Sequence, residues 1–247
     1  MSAASQLILD LPVRPALGRE DFFVAESNAT AVAWIDRWPD WPARVAVLVG
    51  PPGCGKSHLA QVWRGTSDAV ALAPKALGEE ATRDLLGDAT CCLLDDAEAV
   101  AGMVPGVAGK GAAQESSAAE QGLFHLFNLV IERQGFLLMA ARQAPARWHL
   151  GLADLASRLK TAQILELGAP DDSLMAALFA KLFADRQLRP GKGVIAYLVA
   201  HAERSHAAAR QLVAEIDRRA LGERGGATLP LVRRLLAEQT GSGAEAR

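Results

Sequence analysis

The stretch from Arg44 to Gln61, RVAVLVGPPGCGKSHLAQ, constrains the chain more than any other. Val45 to Val49 is a short β-branched and aliphatic run that predicts a strand, and the residues from Lys56 onward read as a helix. Between them Gly50, Gly55, Lys56 and Ser57 fill every fixed position of G-x-x-x-x-G-K-[ST], in the strand-turn-helix context that a phosphate-binding loop requires. A polyphosphate needs several donors converging on it with no side chains in the way, and glycines give that access. The candidate nucleotide-binding residues of the loop are Pro52, Gly53, Cys54, Gly55, Lys56, Ser57 and His58, with the backbone N–H groups around Gly53 to Lys56 and the positive end of the helix facing the anion. Lys56 would reach the β oxygens of ADP, or the β and γ oxygens of ATP, and Ser57 offers a hydroxyl to Mg²⁺.

The 247 residues suit one large domain, or a nucleotide domain with a small second one. Half the residues are apolar and 22% charged, ordinary values for a soluble globular protein. A net charge of −2 and a pI near 6.2 exclude a global basic field that would draw the chain to nucleic acid or an anionic membrane. No apolar run approaches the roughly 20 residues of a spanning helix, and no signal-peptide pattern opens the chain, so the expected location is cytoplasmic. Cys54, Cys91 and Cys92 make neither a zinc pattern nor a disulfide framework.

Residues 1–18 mix apolar and polar residues with two prolines and read as an extended arm. Gln6, Leu7, Leu9 and Leu11 within it make either a short peptide for an apolar groove or a tail that packs on its own domain. Val32, Trp34, Ile35 and Trp38 share a helical face that Pro39 and Pro42 terminate; the tryptophans are expected to pack in the core. Ala69 to Leu72 predicts a second strand, and Ala76 to Leu86 a helix. Thr90 to Asp96, TCCLLDD, is an apolar run ending in two carboxylates, which places acids at the carboxyl end of a parallel strand beside the phosphate loop. Asp95 would hold Mg²⁺ directly or through water, and Asp96 would orient an attacking water. Residues 101–118, rich in Gly, Ala and Ser, read as a loop, followed by a helix from Ala119 to Arg133. Phe136 to Ala140 and Ala162 to Leu167 predict further strands, and the alternation implies a parallel α/β sheet covered on both faces. From Pro170 on, only helices are expected, over Asp171–Asp185, Gly193–Ala202, Ser205–Leu221 and Leu229–Gln239.

A phosphate-loop core followed by a helical lid resembles the AAA+ ATPases, and several short runs, in order, resemble the replication initiator DnaA and its relatives. Phe22, Phe23, Val24 and Asn28 stand where that family has an adenine-side F-x-V-x-x-x-N segment. Ser57, His58 and Leu59 continue the loop as in G-K-[ST]-H-L; Leu94, Asp95 and Asp96 are similar to its Walker B. Phe124, His125, Phe127 and Asn128 reproduce F-H-x-F-N, and Asp154 to Leu159, DLASRL, resembles the box that carries an arginine finger. A short glutamine-leucine arm before this core, and no DNA-reading domain after the lid, resemble the regulatory inactivators of DnaA, the Hda family.

The resemblance implies an arm (1–18) that binds the DNA polymerase III sliding clamp through Gln6, Leu7, Leu9 and Leu11, an AAA+ core (19–168) and a lid (169–247). It implies a clamp-bound protein that makes DnaA hydrolyse its ATP and so represses re-initiation, with Arg158 reaching the γ-phosphate in trans. Without the family, Arg158 reads as a solvent-facing helix charge or one half of an intramolecular pair. Phe23, Val24 and Asn28 would line the adenine side, and Arg204 would serve as the lid's sensor, since the aligned position holds Ala207 with Arg204 and Arg210 on either side. Ala140 and Ala141, where a polar sensor is usual, imply weak turnover of its own. No sequence-specific DNA contact and no membrane are expected, and a homodimer stays open. The alternative function is an autonomous ATPase that loads helicase on single-stranded DNA, which calls for a basic surface and turnover raised by nucleic acid.

Overall fold

A computed structural model describes residues 23–101, 110–223 and 226–242. The arm with Gln6, Leu7, Leu9 and Leu11, and Phe22 of the adenine-side segment, lie outside the described residues.

Five strands form one parallel sheet: β1 (Val45–Val49), β2 (Val70–Leu72), β3 (Cys91–Leu94), β4 (Phe136–Ala141) and β5 (Gln163–Glu166), in the order β2-β3-β4-β1-β5. Strand alternation feeds two separate cores. Val45 and Val47 of β1, Cys92 and Leu94 of β3, and Leu137 and Met139 of β4 face one side; Ala46 and Leu48, Cys91 and Leu93, and Leu138 and Ala140 face the other. Because both faces are buried, these strands read as continuous apolar runs, as parallel strands covered by helices do. Burial also fixes the chemistry of the adjacent thiols: Cys92 is pushed up to about 12, chiefly by its desolvation, and Cys91 is raised for the same reason.

On the second face lie α1 (Ala29–Ile35) and α2 (Lys56–Ser67). Here the tryptophans pack, with Trp34 4.1 Å from Trp41, and Trp41 stacked on Trp63 at 5.2 Å. The opposite face is covered by α3 (Ala76–Glu79), α4 (Thr82–Leu86), α5 (Lys110–Glu132) and α6 (Ala153–Leu159). The single helix expected over Ala76–Leu86 is thus two. Glu80 is extended between them (φ −126°, ψ 155°), and the buried Thr82 hydroxyl anchors the second start by donating to the Gly122 carbonyl at 3.3 Å. The helix α5 starts at Lys110, well before Ala119, because an Ala-, Gln- and Glu-containing run propagates a helix without an apolar stripe of its own.

The C-terminal helices α7 (Asp172–Asp185), α8 (Val194–His201), α9 (His206–Glu223) and α10 (Leu229–Ser242) enclose a third core around Phe179, Phe183, Leu198, Val213 and Val232. Asp171 caps α7, its carboxylate accepting from the Leu174 N–H at 2.7 Å. Among the described residues no helix is long and apolar enough to cross a membrane.

Candidate nucleotide site

The parallel register brings the carboxyl ends of four strands to one edge. Val49 of β1 pairs with Ala141 of β4 and Glu166 of β5, and Leu94 of β3 pairs with Met139 of β4. The phosphate loop after Val49, Asp95 after Leu94 and Arg142 after Ala141 therefore open on the same crevice, where ligands bind in such sheets.

Within the loop, Gly50 is obligatory: a Cβ there would stand 2.2 Å from the Leu167 carbonyl oxygen, where β5 closes on β1. Cys54 is 1% exposed and fills the space below, while Pro52 and Ser57 face solvent. Gly55 precedes α2 with no side-chain cap. Among the described residues the N–H groups of Gly53, Gly55, Lys56 and Ser57 have no acceptor, which leaves them for an anion at the positive end of a 12-residue helix. The Lys56 ammonium rests on the Gly50 and Pro51 carbonyls at 2.8 and 2.9 Å, so it sits at the loop's mouth on neutral acceptors that a phosphate would outcompete. His58 is half-buried in the first turn of α2.

Asp95 is half-buried and accepts the N–H of Asp96 at 3.0 Å; Asp96 is exposed, with φ 54°. Among the described residues no three His, Cys, Asp or Glu side chains converge as a metal site. A Mg²⁺ held by Ser57 and Asp95 would thus take its remaining ligands from phosphate oxygens and water, as this small, octahedral cation commonly does. The end of β4 offers only buried Ala140 and Ala141. Beyond it the Glu98 carboxylate accepts the N–H groups of Arg142 and Gln143, and the exposed Arg142 guanidinium turns to that same carboxylate.

On the adenine side Val24 is 54% exposed, and Phe23 is half-buried. Asn28 is buried and holds the turn that precedes α1: its Oδ1 accepts from the Ala25 N–H at 2.9 Å, and its Nδ2 donates to the Phe23 carbonyl at 3.0 Å. It shapes the segment that presents Phe23 and Val24, and its amide is already engaged.

The lid meets the phosphate loop directly. The Gly53 carbonyl accepts two hydrogen bonds from His206, one from its N–H and one from its ring Nδ1–H, each 3.0 Å. That bond fixes the neutral tautomer with the proton on Nδ1, and burial pushes the imidazole below its usual 6.5. Arg204 lies in the turn before α9 and pairs with Asp172 at 2.5 Å, both side chains well exposed. Ala207 is exposed and Arg210 half-buried, one turn into α9.

Arg158 stands on the exposed side of α6, its guanidinium over Phe124 at 5.1 Å and Phe127 at 5.8 Å, and no carboxylate among the described residues pairs with it. The sequence reading missed Glu98, Ser205, His206 and the buried Glu120.

A parallel sheet in this order, a complete phosphate loop at its carboxyl edge and a helical unit docked on that loop define a P-loop nucleotide-binding fold with a lid. No protein-family model matches the chain, and no curated protein matches it in sequence. Among solved structures it is similar to domain III of the replication initiator DnaA from Thermotoga maritima, with a TM-score of 0.75 at 16% identity over 92% of this chain and 98% of that one. AMPPCP-bound DnaA from Aquifex aeolicus gives a TM-score of 0.67 at 17% identity, covering 85% of this chain and 70% of that one. The FIGL-1 AAA domain gives 0.60 at 16%, covering 83% and 76%. The fold is that of an AAA+ domain, with the arrangement of DnaA domain III.

Proposed function

We propose that this chain is a DnaA-related AAA+ regulator that, bound to the DNA sliding clamp through Gln6, Leu7, Leu9 and Leu11, stimulates hydrolysis of DnaA-bound ATP and so represses re-initiation of replication. The observation that carries the reading is Arg158, a guanidinium presented at an exposed rim of an AAA+ domain and held by two aromatic faces instead of a carboxylate. An exposed cation–π contact is worth only about 0.5–1 kcal/mol, so a γ-phosphate from a neighbouring subunit can take the guanidinium from it. Its planar fork matches equatorial phosphoryl oxygens, and an arginine finger supplied in trans is worth roughly 10³–10⁵ in rate.

The chain's own nucleotide, ADP or ATP, lies against the free amides of Gly53, Gly55, Lys56 and Ser57, with Lys56 on its outer phosphates and Phe23, Val24 and the Asn28 turn beside the base. Mg²⁺, where bound, neutralises phosphate charge; Ser57 and Asp95 would hold it, and Asp96 would orient water. Arg204 closes the site from the lid. Its pair with Asp172 is exposed and of the kind that contributes about 0–1 kcal/mol, so leaving it costs little.

The test is ATP hydrolysis by DnaA mixed with this protein, with and without DNA-loaded clamp. Clamp-dependent stimulation is expected. It should vanish in a chain lacking residues 1–11 and in Arg158→Ala, while both variants keep nucleotide affinity and Arg158→Ala keeps clamp binding. No effect on DnaA, with turnover of this protein alone raised by single-stranded DNA, would replace this reading by the helicase-loader one.

A further inference from the structure

Glu120 is 5% exposed, and among the described residues no Lys or Arg pairs with it. Its Oε1 accepts the Gly151 N–H at 3.2 Å and its Oε2 the Leu152 N–H at 2.9 Å. A buried carboxylate without a cation is costly unless its oxygens are satisfied, and here both bonds go to the backbone that starts another helix. Leu152 is the N-cap residue of α6, the helix that carries Arg158.

Four and seven residues along α5 from Glu120 are Phe124 and Phe127, the rings beneath the Arg158 guanidinium. Positions i, i+4 and i+7 of a helix form one stripe. A single stripe of α5 therefore grips α6 twice: a carboxylate holds the Gly151 and Leu152 amides that lead into it, and two aromatic faces hold the guanidinium in its last turn. Between these grips Leu155 and Leu159 are buried in the core. The helix itself is only seven residues long, too short to set its own direction without such anchors.

We infer that Glu120 is a positioning residue for the trans-acting arginine: by holding the amides of Gly151 and Leu152 it sets the direction in which α6 presents Arg158 to a nucleotide on a neighbouring subunit. This rests on the function proposed above. The carboxylate bonds to the backbone N–H groups of Gly151 and Leu152, so it acts through the backbone. Gln in its place keeps size and burial but offers one acceptor oxygen instead of two and sets an NH₂ against the second backbone N–H.

The experiment compares full-length wild type and Glu120→Gln in clamp-dependent stimulation of DnaA ATP hydrolysis, alongside nucleotide binding and amide exchange over residues 151–159. A misdirected finger should lower the maximal stimulated rate about tenfold or more. The concentration giving half-maximal stimulation and the nucleotide affinity should stay at wild-type values, and exchange at Gly151 and Leu152 should speed up. Wild-type stimulation by Glu120→Gln, with those two amides exchanging faster, overturns the positioning role. A variant that fails to fold makes Glu120 a residue of the fold alone and overturns it as well. A wild-type chain that does not stimulate DnaA overturns instead the function on which the role rests, so the two failures are told apart.

Discussion

Replacing Gly53 with alanine probes the junction of the phosphate loop and the lid. The new Cβ would stand 2.2 Å from the Ser205 Cβ and 3.1 Å from its Cα. Relief requires the start of α9 to retreat by about 1.5 Å, to ordinary carbon–carbon contact. That retreat stretches both His206 bonds to the Gly53 carbonyl, each worth about 1 kcal/mol. Alanine at φ +74° adds about 1 kcal/mol of left-handed strain. The variant should therefore lose about 3 kcal/mol, a large part of a typical domain's stability.

Strain and clash separate in a double variant. Ser205→Gly removes the obstructing Cβ and leaves only the 3.1 Å approach to Cα, which needs a shift of a few tenths of an ångström. The Ser205 hydroxyl accepts from the Ala208 N–H at 3.0 Å as a helix cap, and glycine replaces such a cap at a cost of only a few tenths of a kcal/mol. Gly53→Ala/Ser205→Gly should thus recover about 2 kcal/mol, read as a coupling energy from urea midpoints of the four proteins. Additive effects, with coupling under about 0.5 kcal/mol, would show that the lid does not rest on the phosphate loop.

Two further outcomes concern the same lid. His206 is pushed down by burial, with Arg210 adding to the effect, so the unfolded chain binds its proton at a higher pH than the folded one. Its contribution is then complete above pH 6.5 and lost as pH falls below that value, and urea midpoints of His206→Gln should decline less steeply there than those of wild type. Asp171 accepts from the Ser173 hydroxyl and the Leu174 N–H, both at 2.7 Å, bonds that hold its carboxyl below the usual range. Asp171→Ala should destabilise α7 by about 1 kcal/mol, measured as a lower urea midpoint near neutral pH with little change in nucleotide affinity.

The sheet was legible because two of its signals are local. Apolar runs of strand length lie between glycine-rich or charged turns, and β1 matches residues 45–49 because the loop motif fixes where that strand must end. Helices with an apolar stripe were equally readable, down to the Asp171 start. The break at Glu80 was not, since Thr82 begins a new helix through a bond to Gly122, 40 residues away. The long start of α5 was missed for the opposite reason: a run without periodicity still propagates a helix. In the candidate site, the motif-bearing residues announce themselves by type and spacing. Glu98, Ser205 and His206 act through backbone groups brought in by the fold, which no local pattern encodes. Glu120 did leave a trace. It shares a helical stripe with Leu123, Phe124 and Phe127, and a carboxylate on an apolar stripe calls for buried donors.

The Gly53 carbonyl gives the lid a way to respond to nucleotide. Both of its bonds run to one residue, so the Gly53–Cys54 peptide cannot rotate without releasing His206. The N–H groups that would cradle a phosphate lie on the same few peptides, from Gly53 to Ser57. A phosphate that favours the present orientation of those peptides therefore favours the docked lid, and the docked lid must favour the phosphate by the same factor, since coupling between two equilibria is reciprocal. The Gly53→Ala/Ser205→Gly cycle reads this coupling when it is repeated with ADP. Saturating nucleotide should enlarge the coupling energy if loop and lid form one cooperative unit, whereas an unchanged value would mean that the phosphates leave the Gly53 peptide indifferent to the lid.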